Sequence, residues 1–144
     1  MIDSIVNSGA VPVLERVLEF TEQRQVVLAH DVANLSTPNF QPSELDPKAF
    51  QAALAQAIDR RRSRGGSNSG PLELNDTKEL TFTPDGIQAH PQAANEGILF
   101  HDNNNRDLER INQHIAENIL AHNTAIQLIR DQLATLKSAI AERV

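Results

Sequence analysis

Apolar positions recur at intervals of three and four over the last quarter of the chain: Leu108, Ile111, Ile115, Ile119, Ile126, Ile129, Leu133, Leu136 and Ile140, with His122 standing in the same line. This spacing predicts a helix over residues 107–144 with a coiled-coil seam. The stretch contains neither Pro nor Gly and is filled mostly by good helix formers, so propensity and period ask for the same structure. At about 1.5 Å per residue the helix would be on the order of 55 Å long. One small domain cannot bury such a stripe internally, and it is expected to meet helices of this chain or of other copies.

A second periodic run lies near the other end. Behind Pro12, which suits a first helical turn, come Val13, Leu14, Val17, Leu18, Thr21, Leu28, Val32 and Leu35, predicting a helix over residues 12–35. Thr21 and Gln25 weaken the middle of its seam, so in isolation the helix would be marginal. The two terminal helices are therefore expected to pair as an antiparallel, coiled-coil-like hairpin. Leu14, Val17, Leu28 and Val32 would face Ile115, Ile119, Ile126 and Leu133, and Ile129, Leu136 and Ile140 would prolong the seam. The first helix should stop at Ala33-Asn34-Leu35-Ser36-Thr37-Pro38, because Pro38 pushes Thr37 out of the α region.

Residues 36–106 read as an irregular middle segment. A short helix is expected over residues 46–62 on Phe50, Ala53, Leu54, Ala57 and Ile58, capped by Asp46 with Pro47 at its first position. Linker chemistry follows near residues 60–71, where Arg60, Arg61, Arg62 and Arg64 run into a Gly- and Ser-rich stretch and read as a solvated loop. Beyond it the apolar scraps Leu72, Leu74, Leu80, Phe82, Ile87 and Ile98 to Phe100 allow a small β element, too short to found a domain. Asn103 to Asn105 are placed to cap the last helix. The expected fold class is mainly α, in one domain spanning residues 1–144.

Composition narrows the function. The 144 residues include 5 Phe but no Trp or Tyr, which points to an aliphatic core of helix pairs rather than a deep ligand pocket. A net charge of −6 argues against general affinity for nucleic acid or anionic lipid. Cysteine is absent, which removes disulfide and thiolate chemistry from consideration. Neither a classical secretory signal nor a run of about 20 apolar residues is found. Among the five histidines, His114 and His122 lack the i, i+4 spacing of a helical metal pair. His30-Asp31 and His101-Asp102 are adjacent pairs expected on different helix faces. Neither a catalytic motif nor an activated nucleophile is discernible, so the expectation is a non-enzyme without metal, cofactor or small-molecule ligand.

The stretch from Leu18 to Phe40 carries more specific wording. Ala29-His30-Asp31-Val32-Ala33-Asn34-Leu35-Ser36-Thr37-Pro38-Asn39-Phe40 resembles the N-terminal signature of bacterial flagellar axial proteins, Ala-x-Asn-Ile-Ala-Asn-x-x-Thr-Pro-Gly-Tyr. Ala29, Ala33, Asn34, Thr37 and Pro38 match, and Val32 and Phe40 are conservative replacements. Asp31 stands for the first Asn of the signature, and Asn39 for its Gly, at a backbone conformation Asn can adopt. Leu45-Asp46 to Phe50, and Glu117-Asn118 followed by Asn123, Leu133, Leu136, Ala139 and Ile140, are similar to the flagellar basal-body rod protein family, most like its B-type proximal rod subunits. The likeness covers both ends, roughly half the chain, and little of residues 60–98.

The resemblance implies a structural subunit of the flagellar rod, exported through the type III apparatus without a cleaved signal and stacked helically across the periplasm to transmit torque. It implies other rod subunits, a base-plate adaptor and the export apparatus as partners, in a homo- or hetero-oligomeric assembly. Ala29, Val32, Ala33, Asn34, Thr37, Pro38 and Phe40 would form an assembly motif, with Phe40 anchoring the redirected chain on a neighbouring apolar surface. The competing reading is a cytoplasmic helical adaptor or type III secretion chaperone, for which the amphipathic helices would serve equally.

Overall fold

The computed structural model describes residues 9–64, 72–93 and 108–141. Among these residues there are three helices, α1 (Val11–Asn34), α2 (Pro47–Ser63) and α3 (Leu108–Ala141). Between them lie four short strands, β1 (Ser43–Glu44), β2 (Leu80–Thr83), β3 (Gly86–Ala89) and β4 (Gln92–Ala93), in two antiparallel pairs, β1 with β4 and β2 with β3. The fold is mainly α, as the apolar periodicity predicts.

α1 and α2 begin where their sequences allow. Pro12 sits in the first turn of α1, where its missing N–H deprives the helix of nothing. In α2, Asp46 is extended and its carboxylate accepts a hydrogen bond from the Lys48 N–H at 2.8 Å, with Pro47 leading the helix. This is the cap predicted from the sequence.

α1 runs antiparallel to α3, as expected. Asn118 Nδ2 donates to the Thr21 carbonyl at 2.9 Å and to Gln25 Oε1 at 3.0 Å, and His122 meets Thr21 at 2.9 Å. Nearer the start of α3, Arg110 reaches Glu44, past the end of α1. Thr21 and Gln25 are thus not weak points of the seam, because each finds a polar partner on α3.

The other face of α1 is where the structure departs from the sequence reading. Phe20 and Val27 belong to a core completed by Leu45, Phe50, Leu54, Leu80 and Ile87. The rings of Phe20 and Phe50 stack with centroids 4.2 Å apart and planes 1° from parallel. The β2–β3 hairpin, expected to be too slight to matter, contributes because its register pairs Phe82 with Ile87 and Leu80 with Ala89. Alternation then puts all four side chains on one face, and four residues per strand suffice once α1 covers them.

The basic run also needs correcting. α2 continues to Ser63, so Arg60, Arg61 and Arg62 lie on its last turn, favourable ground for cations. Arg60 donates to the Glu73 carbonyl, Arg61 is buried and donates to the Gly9 carbonyl, and Arg64 pairs with Glu73 at 2.8 Å. Arg60 and Arg61 therefore brace neighbouring chain from a helix, whereas Arg62 and Arg64 are exposed, as expected for this run. The Gly-rich part of the expected linker, the apolar run Ile98 to Phe100, the pair His101-Asp102 and the caps Asn103 to Asn105 lie outside the described residues.

Candidate assembly surface

The apolar stripe of α3 is wider than α1 can cover. Its buried residues are Ile111, Asn118 and Ala125, one line with a repeat of seven. Beside them Ile115, Ile126, Ile129 and Leu136 are half-buried, whereas Ile119, Leu133 and Ile140 are exposed, Leu133 to 51% and Ile140 to 60%. On α1, Leu28 is buried and Leu14 and Val17 are half-buried, while Val32 is exposed. The helix contact therefore lies one margin round from the predicted line, because the small Ala125 permits close approach and Asn118 and His122 need the polar atoms of Thr21 and Gln25.

Leu108, Ile115, Ile119, Ile126, Leu133 and Ile140 fall on a neighbouring line of α3, in steps of seven, four, seven, seven and seven. Four of the six, Leu108, Ile119, Leu133 and Ile140, are exposed. Where Ile119 and Val26 flank the helix pair there is a groove of about 510 Å³, floored by Thr21, Gln25, Asn118 and His122. The single hydroxyl proton of Thr21 goes to the Leu18 carbonyl at 2.8 Å, so at Thr21 Oγ1 the contact with His122 must be an Nδ1–H donation. That orients the ring and leaves Nε2 as its other polar atom.

The turn after α1 is stitched by its own residues. Asn34 Nδ2 donates to the His30 carbonyl at 2.9 Å, the Thr37 N–H to the Asn34 carbonyl at 2.8 Å, and the Phe40 N–H to the Thr37 carbonyl at 3.2 Å. Asn39 takes φ 60°, the left-handed conformation that the Gly of the flagellar signature would supply. Within this chain Phe40 is half-buried against His30, ring centroids 5.6 Å apart. Ala29, Val32, Ala33, Thr37 and Pro38 are exposed, so much of the motif is surface.

Asp31, named from the sequence only as half of the His30-Asp31 pair and as a departure from the signature, is 2% exposed, and both its oxygens lie 3.2 Å from the Ser43 nitrogen whose N–H they accept. It ties the end of α1 to β1. Burial pushes its carboxyl up from the ordinary range against the opposing pull of Ser43 and His30. His30 does point elsewhere, being largely exposed, yet its Nδ1 comes within 3.8 Å of Asp31. Adjacent helical residues on different faces can thus still interact.

Among the described residues there is no cluster of His, Asp and Glu suited to a metal ion. No helix among them is long and apolar enough to cross a membrane.

No protein-family model matches the chain. Its sequence is 30% identical over 113 residues to the flagellar basal body rod protein FlgB of Borrelia hermsii, covering 76% of this chain and 78% of that protein. It is 24% identical over 145 residues to FlgB of Yersinia enterocolitica, across 99% of both chains. It is 23% identical over 143 residues to FlgB of Escherichia coli K12, across 97% of both. The likeness therefore extends through the middle segment, beyond the two ends where the sequence motifs stand.

Proposed function

The chain belongs to the FlgB family of flagellar basal body rod proteins and is a structural subunit of the flagellar rod; from that premise we propose how it is built into the assembly. The carrying observation is the line Leu108, Ile119, Leu133 and Ile140 along α3, each about half exposed, apolar surface on one side of a helix that this chain does not cover itself. It packs laterally against other rod subunits in a helical stack that transmits torque, while the α1–α3 pair holds it rigid. Nothing in the FlgB matches favours the cytoplasmic adaptor or secretion chaperone.

Of the expected seam residues Leu14, Val17, Leu28, Val32, Ile115, Ile119, Ile126, Ile129, Leu133, Leu136 and Ile140, Val17 packs instead against the core of Phe20 and Phe50 on the other face of α1, and the rest divide between the internal pair and the contacts with neighbours. The motif Ala29, Val32, Ala33, Asn34, Thr37, Pro38 and Phe40 forms a second contact, with Phe40 leaving His30 for an apolar surface of the adjoining subunit. The subunit performs no catalysis, works in the periplasmic part of the basal body, and reaches it through the type III export apparatus without a cleaved signal. A base-plate adaptor lies below it.

The test is complementation of a strain lacking the gene. Leu133→Asp with Ile140→Asp should be made and exported at normal levels, yet leave cells without rods and non-motile. Asn34→Ala with Phe40→Ser should do the same through the turn. Normal motility with normal rods in the first pair would sink the stripe as an interface, and in the second pair the turn.

A further inference from the structure

On the side of α1 between α2 and α3 lies an open cleft of about 700 Å³ with Arg24 in its wall. Arg24 is only 5% exposed, its Nε has no hydrogen-bond partner, and its guanidinium forms no ion pair among the described residues. A buried donor left without an acceptor is costly. Arg24 is thus a nearly buried cation in the cleft wall that meets no protein acceptor among the described residues.

The carboxylates around the cleft are engaged elsewhere. Glu44 takes Arg110 at 3.2 Å, Asp46 caps α2, Glu79 accepts the Asp46 N–H at 2.7 Å, and Glu117 accepts from Gln113 at 2.8 Å. Burial lowers the Arg24 pKa from its usual range, while the charges of Glu44, Glu117 and Asp46 oppose the shift. Four carboxylates against three fixed cations line the cleft. Arg24 therefore has countercharge nearby but lacks an acceptor atom. A further anion would meet walls already slightly negative, whereas a neutral carbonyl oxygen would not.

The rim points the same way. Gln92 and Ala93 of β4 line the cleft, and among the described residues β4 is paired on one side only, with β1. Free strand edges accept extended chain. We propose that this cleft receives an uncharged, extended peptide segment of an adjoining rod subunit, whose main-chain carbonyl oxygens take the Arg24 guanidinium. The contact is distinct from the apolar line on α3, and it rests on the rod-subunit reading.

Arg24→Met keeps the apolar stem and removes the donors. The purified variant should melt at the same temperature as wild type or higher, because a buried cation without an acceptor is gone. In the deletion strain it should nevertheless lower the number of assembled rods and the motile fraction at least tenfold. Arg24→Gln, a neutral donor, should recover part of that loss. A melt several degrees lower would make Arg24 a structural brace and overturn the proposal, as would wild-type rods and motility, the outcome if only water fills the cleft. Recovery by Arg24→Lys where Arg24→Gln fails would point to a carboxylate partner and overturn the neutral acceptor. Failure of the wild-type gene to restore motility would instead remove the rod reading on which the contact rests.

Discussion

α1 and α3 read alike in sequence, each an amphipathic helix with apolar residues three and four apart, yet they are covered differently. α1 is enclosed on two sides, with Phe20 and Val27 in the core and Thr21 against α3. α3 buries only Ile111, Asn118 and Ala125 and leaves much of its aliphatic content in solvent. An apolar residue on α1 thus reports mainly on folding, whereas one on the outer line of α3 reports on contacts the isolated chain does not make.

The largest effect should come from the enclosed side. Phe50→Ala removes one of two stacked rings from the core and should cost about 3–4 kcal/mol, read by chemical denaturation of the purified chain. Between the two regions, Asn118→Ala breaks hydrogen bonds to Thr21 and Gln25 and should cost about 1–2 kcal/mol. On the open side, Leu133→Asp should change the isolated chain by no more than about 0.5 kcal/mol. From sequence, where Leu133 is taken as buried, the same change is expected to cost about 3 kcal/mol. Its measured cost therefore decides between an internal and an external position.

The smallest effect should be at Asp31. Its folded pKa lies above the unfolded value because burial disfavours the charge, so the native state holds its proton more tightly. Stability is then lost as pH rises from the ordinary carboxylate range through the folded pKa, and regained on acidification. Arg110, His114 and Glu44 stand near the same strand and are unaltered in Asp31→Asn. That variant should match wild type in strong acid and melt slightly higher at neutral pH. A lower melt at neutral pH would mean that the charged Ser43 contact outweighs desolvation.

Much of the fold was legible because local signals agreed. Pro12, Asp46 with Pro47, and Asn34 with Pro38 marked helix ends, and the signature around Ala29 to Phe40 even implied the left-handed backbone found at Asn39. The hairpin was undervalued because Leu80, Phe82, Ile87 and Ala89 alternate over only eight strand residues, too few to stand out before the helix that covers them is known. The line of contact on α3 was misjudged for a different reason. A stripe of leucines and isoleucines gives the direction of apolar surface, but not which margin a partner takes. The signal for that was polar: Asn118 and His122 on one helix, and Thr21 and Gln25 on the other. Arg24 gave no sequence signal at all, since an arginine on a helix is ordinarily solvated.

The bond from Asn118 to Thr21 joins residues 97 apart in the chain, and this has a kinetic consequence. α2 and the hairpin form from near neighbours, whereas docking α3 onto α1 must close a loop of 97 of the 144 residues, so it comes late. Until it docks, α1 shows Thr21 and Gln25 to any helix bearing an Asn and a His four residues apart, and a second copy of α3 is such a helix. At high local concentration the intermolecular pairing costs no loop closure, so exchange of terminal helices between subunits competes with self-closure. The order in which subunits arrive and close then matters as much as the contacts they finally make.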